Sequence, residues 1–226
     1  MSSMGKVIVT KSTKNPSGAK IIKGLEDINF NFVHGDRVAL LGHNGSGKTT
    51  LLKLLADIYS PTSGTIHKKG ETCCMLDIGF GFEQDATGYE NIILSNITRG
   101  LTKHEVDKIL PDIAEFSGLG EFLDMPFRTY SSGMQARLAF SSVIANAPGI
   151  LLIDEFFSTG DIEFSEKSKN KVLEMMSNSS ILVFASHDLP LLKTICNKAI
   201  CLENGKIIFS GETEDTIRHY KEIYEK

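Results

Sequence analysis

The chain has 226 residues, 41% hydrophobic and 23% charged, an average globular make-up that excludes wholesale disorder, collagen-like repeats and a disulfide-stapled miniprotein. Its 24 basic and 28 acidic residues leave a net charge of −4, which gives no polybasic footprint for nucleic acid or anionic lipid. No stretch approaches the roughly 20 apolar residues of a membrane span, and the start Met1-Ser2-Ser3-Met4-Gly5-Lys6 has no apolar secretory core, so any membrane role is expected to come through a partner chain.

In chain order, Val7-Ile8-Val9 reads as a short strand and Lys14-Asn15-Pro16-Ser17-Gly18 as a turn cluster. Ile28 to Phe32 alternates apolar and polar residues, the pattern of a half-buried strand. Arg37 to Leu41 reads as a buried strand that runs directly into Gly42-His43-Asn44-Gly45-Ser46-Gly47-Lys48-Thr49, and Thr50 to Ala56 as a helix. Strands are expected at Thr65 to Lys68 and Cys73 to Leu76. From Thr87 to Ala147 apolar residues recur at helical spacing (Val106, Ile109, Leu110 and Ile113; then Leu138, Val143 and Ala145), which predicts a mostly helical lobe inserted in the core. Strands return at Ile150 to Ile153, Ile181 to Ala185, Ala199 to Leu202 and Lys206 to Phe209. A helix over Lys167 to Met176 separates the first two of these, and Thr213 to Lys226 forms a terminal helix. Strands alternating with helices predict an α/β fold with a largely parallel sheet. The four cysteines, Cys73, Cys74, Cys196 and Cys201, match no zinc spacing and read as buried, reduced thiols.

Gly42 to Thr49 fits G-x-x-x-x-G-K-[ST], with a predicted strand before it and a helix after it. Glycines let the backbone wrap phosphates closely, with several N–H groups turned inward, and the helix N-terminus adds partial positive charge. Lys48 is placed to reach the β- and γ-phosphates of a nucleotide, and the Thr49 hydroxyl to ligate Mg²⁺. The binding segment is Gly42, His43, Asn44, Gly45, Ser46, Gly47, Lys48, Thr49 and Thr50.

Ile150-Leu151-Leu152-Ile153-Asp154-Glu155 is an apolar strand ending in two carboxylates. Ligands of open α/β sheets sit at the carboxyl ends of strands. Asp154 is therefore expected to hold Mg²⁺, directly or through water, and Glu155 to orient or deprotonate the attacking water.

Tyr130-Ser131-Ser132-Gly133-Met134-Gln135 resembles the signature motif of ABC-type ATPases, whose usual form is L-S-G-G-Q. Alone, a Ser/Gly turn before a helix would be only a cap. Phosphate loop, signature, acidic pair and His187 (in Ala185-Ser186-His187-Asp188) occur here in that family's order, and Ser158-Thr159-Gly160-Asp161 matches its D-loop. Gly79-Phe80-Gly81-Phe82, Thr87-Gly88-Tyr89-Glu90-Asn91 and the variant signature are similar to one subgroup, the ATP-binding subunits of bacterial capsule, O-antigen and teichoic-acid exporters.

The resemblance implies a P-loop NTPase core of ABC type, with an N-terminal antiparallel β subdomain and a helical lobe inserted at about residues 87–147. Residues 1–226 then form a single ATP-binding domain, with no appended carbohydrate-binding domain. It implies Glu155 and His187 as catalytic residues, His187 contacting the γ-phosphate, and Thr49 and Asp154 as the Mg²⁺ ligands. Ser131, Ser132, Gly133 and Met134 would meet the ATP of a partner subunit in a head-to-tail homodimer, with Asp161 at the interface. An integral-membrane permease dimer would carry the cargo, placing the chain at the cytoplasmic face of the bacterial inner or cell membrane, with no nucleic-acid partner.

Two departures stand out. The family's adenine-stacking aromatic aligns with Thr13, which implies weak base stacking. The Q-loop glutamine has no unique position, since Glu83 and Gln84 both follow the glycine-rich segment. The competing readings are an ABC transporter ATPase for a different cargo, a nucleotide-binding regulatory or assembly subunit with little hydrolysis, against which Lys48, Asp154, Glu155 and His187 argue, and a soluble ABC ATPase outside transport; the last usually carries two nucleotide domains or long coiled coils, absent from this sequence.

Overall fold

The computed structural model describes residues 3–4, 24–76, 81–144, 149–154 and 162–224. In chain order these form β1 (Ser3–Met4), β2 (Phe32–Val33), β3 (Arg37–Leu41), α1 (Lys48–Leu55), β4 (Thr72–Met75), α2 (Gly88–Thr98), α3 (Lys103–Ser117), α4 (Ser132–Ile144), β5 (Ile150–Asp154), α5 (Ile162–Asn178), β6 (Ile181–Ala185), α6 (Leu189–Ile195), β7 (Lys198–Glu203), β8 (Lys206–Glu212) and α7 (Thr213–Tyr224). Two compact units result: a sheet unit of residues 1–76, 148–156 and 179–226, and a helical unit of residues 77–147 and 157–178.

The sheet unit is built on six strands in the order β4-β5-β6-β3-β7-β8. All neighbours are parallel except the β7–β8 hairpin. A separate antiparallel pair joins β1 to β2. β3 lies between β6 and β7 and is apolar at four successive positions because both its faces are covered. Alternation sends Val38 and Leu40 into one core cluster with Leu51, Leu52, Leu54 and Leu55 of α1 and with Leu152 and Val183 of β5 and β6. α7 lies along β3, β7 and β8 and meets α6. The turn into β3 is fixed by Asp36, whose carboxylate accepts from the Val33 amide at 2.9 Å and pairs with Lys198 at 2.8 Å.

The hairpin turn carries two residues at positive φ, Asn204 (46°) and Gly205 (77°), as a two-residue Asn-Gly turn requires. The Gly205 amide donates to the Ser46 carbonyl at 2.9 Å, and the Gly205 carbonyl accepts from the Glu26 amide at 2.7 Å. The turn is thereby stitched to residues 24–26 on one side and to the segment after β3 on the other.

The helical unit has its own core of Ile92, Ile113, Leu119, Leu123, Phe127, Tyr130 and Leu138. α2 and α3 both start with a capping box, Thr87 with Glu90 and Thr102 with Glu105, in which hydroxyl and carboxylate satisfy opposite backbone amides. Those hydrogen bonds from threonine hold both glutamates below the usual carboxylate range. The Arg137 guanidinium donates to the Ser117 carbonyl at 3.0 Å and lies over the Phe164 ring.

Two expected strands take other forms. Ile28 to Phe32 keeps its alternation, with Ile28 and Phe32 buried and Asn29 and Asn31 exposed, but only Phe32–Val33 enters a ladder. Thr65 to Lys68 is irregular, although Ile66 packs on the core. In both segments the apolar pattern follows burial against the core, with Ile28, Phe32 and Ile66 packed in it. Cys196 and Cys201 are buried, which pushes their thiols up to about 12 and about 11. Cys73 and Cys74 are only half-buried, because β4 is the edge strand.

A Cβ added at Gly205 would stand 2.6 Å from the Gly24 carbonyl oxygen, at a φ that side chains avoid. Gly205→Ala is therefore expected to destabilise the protein by about 2 kcal/mol or more. Denaturant unfolding of the variant and the parent checks this.

Candidate functional site

β3 delivers the chain into a loop whose glycines carry out distinct tasks. Gly42, Gly45 and Gly47 all have positive φ, at 147°, 81° and 109°. A Cβ at Gly42 would meet the Leu202 carbonyl oxygen at 2.4 Å, and one at Gly47 would meet Leu25 Cδ2 at 2.7 Å. At Gly45 nothing lies within 4 Å, so this glycine faces open space at the crest of the loop. The loop is held from inside by the Ser46 amide donating to the His43 carbonyl at 3.1 Å and by His43 Nδ1 donating to the Asn44 carbonyl at 2.6 Å. Lys48 Nζ folds over it and donates to the carbonyls of Gly42 (2.6 Å) and His43 (3.2 Å).

α1 starts at Lys48 with no side-chain cap, because its cap position is Gly47. The first-turn amides of such a helix are donors for an anion, reinforced by the helix dipole. Ser46 Oγ is fully buried and finds no hydrogen-bond partner among the described residues. Open glycine crest, uncapped helix start, lysine and buried hydroxyl form a cradle that fits a chain of phosphates.

The ends of β5 and β6 reach the same side of the sheet as the end of β3. Thr49 Oγ1 donates to Asp154 Oδ2 at 2.5 Å, bringing together two residues 105 positions apart. Asp154 ends β5 in register with Ala185, the last residue of β6. Ser186 and His187 follow at once, and His187 is exposed. Asp188 is a structural neighbour: its carboxylate caps α6 at the Leu191 amide (3.0 Å), while its own amide donates to Ser186 Oγ (3.1 Å). A hydroxyl beside one carboxylate is a hard-oxygen pair of the kind Mg²⁺ uses when phosphate oxygens and water complete its shell. Thr50 is half-buried in the first turn of α1. Glu155, Asp161, Ser158 to Gly160, Gly79, Phe80 and Thr13 lie outside the described residues.

The signature belongs to the helical unit. Ser131, Ser132 and Gly133 are exposed at the start of α4, where Ser131 Oγ accepts from the Met134 amide at 3.3 Å and serves as the cap. Met134, which stands where relatives of the usual pattern have glutamine, is half-buried against the helical core. Tyr130 is a core residue whose hydroxyl donates to the Phe122 carbonyl at 2.5 Å, and burial raises its phenol pKa. The Thr87-Gly88-Tyr89-Glu90-Asn91 segment serves local structure: Gly88 leaves room for the Tyr130 hydroxyl, 2.3 Å from where a Cβ would sit. Asn91, fully buried, exchanges hydrogen bonds with the Glu83 backbone (2.6 and 2.9 Å). Glu83 and Gln84 both expose their side chains.

Sequence reasoning missed the underside of the phosphate loop. Leu202 and Gly205 of the β7–β8 hairpin touch it, and the end of α7 approaches it through Tyr224, whose ring centroid lies 6.1 Å from that of His43. The Asn204-Gly205 dipeptide signals a hairpin but not what the hairpin supports.

A family profile described as ABC transporter matches residues 25–158. The chain is 43% identical over 186 residues to the O-antigen export system ATP-binding protein RfbE of Yersinia enterocolitica, covering 82% of this chain and 78% of that protein. It is 37% identical over 199 residues to the teichoic acids export ATP-binding protein TagH of Listeria innocua, covering 88% of this chain but only 59% of that one. Among solved structures, a dimeric ATP-binding cassette in a post-hydrolysis state bound to ADP and Pi superposes with a TM-score of 0.70 over 94% of this chain and 99% of the other. Its 22% identity speaks to the fold alone. The chain belongs to the ABC transporter family, as an ATP-binding subunit homologous to those of O-antigen and teichoic-acid export systems.

Proposed function

We propose that this chain is the ATP-hydrolysing subunit that powers export of a lipid-linked surface polysaccharide through a separate transmembrane permease. The observation that carries the engine is the phosphate loop with Lys48 at its centre and the Thr49–Asp154 pair beside it. The cargo class rests on the identity with relatives named for O-antigen and teichoic-acid export. Among the described residues no helix is long and apolar enough to cross a membrane, which accords with a permease supplied by another chain.

In this reading Lys48 leaves its carbonyl contacts for the β- and γ-phosphates, and the loop amides hold the rest of the triphosphate. Mg²⁺, when bound, would neutralise phosphate charge, and Thr49 and Asp154 would hold it. Glu155, next in sequence to Asp154, takes the proton of the attacking water, and His187 stabilises the γ-phosphate. The donors on the far side of that phosphate come from a second copy: Ser131, the Gly133 amide and their neighbours Ser132 and Met134 at the uncovered start of α4, with Asp161 at the interface. Ser131 to Gly133 are exposed, as residues that serve a partner's nucleotide need to be. Exposed Leu94, Ile97, Phe122 and Met125 give the helical unit apolar surface for a membrane partner. The working place is then the cytoplasmic face of the membrane, peripheral through the permease. A different cargo is the second reading, since the site handles ATP and not the transported molecule.

Lys48→Ala removes charge-assisted contacts worth about 1.5 to 3 kcal/mol each, so its Kd for ATP is expected to rise at least about tenfold in calorimetric titration. In cells the same substitution should deplete a surface glycan; an unchanged glycan would move the cargo to another class. Glu155→Gln should keep ATP bound while turnover falls about 10²- to 10⁴-fold, the usual contribution of a general base. Turnover near that of the parent would reassign the base.

A further inference from the structure

The last helix is tied to the phosphate loop by its length. Thr213 opens α7 at the start of β7, with its hydroxyl donating to the Cys196 carbonyl (2.9 Å) and its amide to the Asn197 carbonyl (3.3 Å). β7 has 6 residues and α7 has 12. At about 3.3 Å per strand residue and 1.5 Å per helix residue, the two run about 20 Å and about 18 Å. The helix therefore finishes level with the end of the strand, where the phosphate loop sits.

Its final described residue makes two contacts there. Tyr224 donates its hydroxyl to Glu203 Oε1 at 2.6 Å, at the last residue of β7 and next to the Asn204-Gly205 turn. Its ring meets His43 edge-on, with an interplanar angle of 63° and centroids 6.1 Å apart, within the range of attractive aromatic pairs. Tyr220 packs on Tyr224 from the preceding turn, centroids 4.9 Å apart. His43 is itself part of the loop and donates from Nδ1 to the Asn44 carbonyl. The Glu203 hydrogen bond, with burial adding to it, pushes the Tyr224 phenol up to about 12, so it remains a donor at every physiological pH.

We propose that Tyr224 is a positioning residue of the nucleotide site. Anchored by Glu203, it braces His43, whose Nδ1 bond to the Asn44 carbonyl holds the Asn44–Gly45 peptide at the crest of the loop in the orientation that receives the triphosphate. Displacing the last turn of α7 then weakens nucleotide affinity without touching the nucleotide. The inference rests on the reading that this loop binds ATP.

The test is MgATP titration of the full chain by calorimetry, with steady-state kinetics alongside. Tyr224→Leu and His43→Ala should each raise Kd about fivefold, and the double variant should show about the same loss as either alone, because both remove one shared contact. Tyr224→Phe, which keeps the ring and loses the hydroxyl, should recover part of the affinity. KM should rise with kcat at saturating ATP nearly unchanged, whereas general loosening of the fold would lower both kcat and the unfolding temperature. Asp215→Ala, which breaks an exposed pair with Arg218 at the other end of α7, should bind as the parent does. Tyr224→Leu binding like the parent, or losses that multiply in the double variant, would overturn the proposal. Absence of MgATP binding by the parent chain would instead overturn the ATP reading beneath it.

Discussion

The sheet unit depends on a close approach of backbones beneath the phosphate loop. The Leu202 carbonyl of the β7–β8 hairpin lies so near to Gly42 that no Cβ fits between them, and the Gly205 amide bonds to the Ser46 carbonyl. Residues 24–25 close in from the other side, against Gly47 and Gly205. Two backbone hydrogen bonds, from Gly205 to Ser46 and from Glu26 to Gly205, lock this arrangement. The glycines of the loop are thus used on two sides. Gly45 leaves the crest open, while Gly42 and Gly47 allow the scaffold to come close. A loop held from below in this way has its amides already oriented, so little ordering cost would remain for an anion bound there.

The same strand end collects the polar chemistry. Parallel pairing forces the carboxyl ends of β3, β5 and β6 to one side, and register sets Asp154 level with Ala185. The hydrogen bond between Thr49 and Asp154 follows from that topology. In the helical unit, the start of α4 presents Ser131 to Gly133 outward while Tyr130 and Met134 anchor it to the core. Of the three letters that depart from L-S-G-G-Q, Tyr130 and Met134 pack on the helical core and Ser132 is exposed.

Much of this was legible in the sequence because it is written in local patterns. The loop has fixed glycine spacing, β3, β5 and β6 are unbroken apolar runs, and α3 has its apolar residues at helical intervals. Ile28 to Phe32 shows where such reading overreaches: the alternation reports burial correctly, but among the described residues only Phe32–Val33 pairs as a strand. Contacts between distant segments left no local trace. Glu203 and Tyr224 are unremarkable letters 21 positions apart, and only the matching lengths of β7 and α7 bring them to His43. Asn91 likewise looked like part of a family motif, whereas its role in the fold is to clamp the Glu83 backbone.

The most direct test of this account is amide hydrogen exchange of the full chain with and without MgATP. If the loop and the hairpin are one backbone-coupled platform, MgATP should slow exchange in residues 42–49 and in residues 203–206 together, although no atom of the hairpin is expected to touch the nucleotide. Protection confined to the loop, with the hairpin amides unchanged, would contradict it.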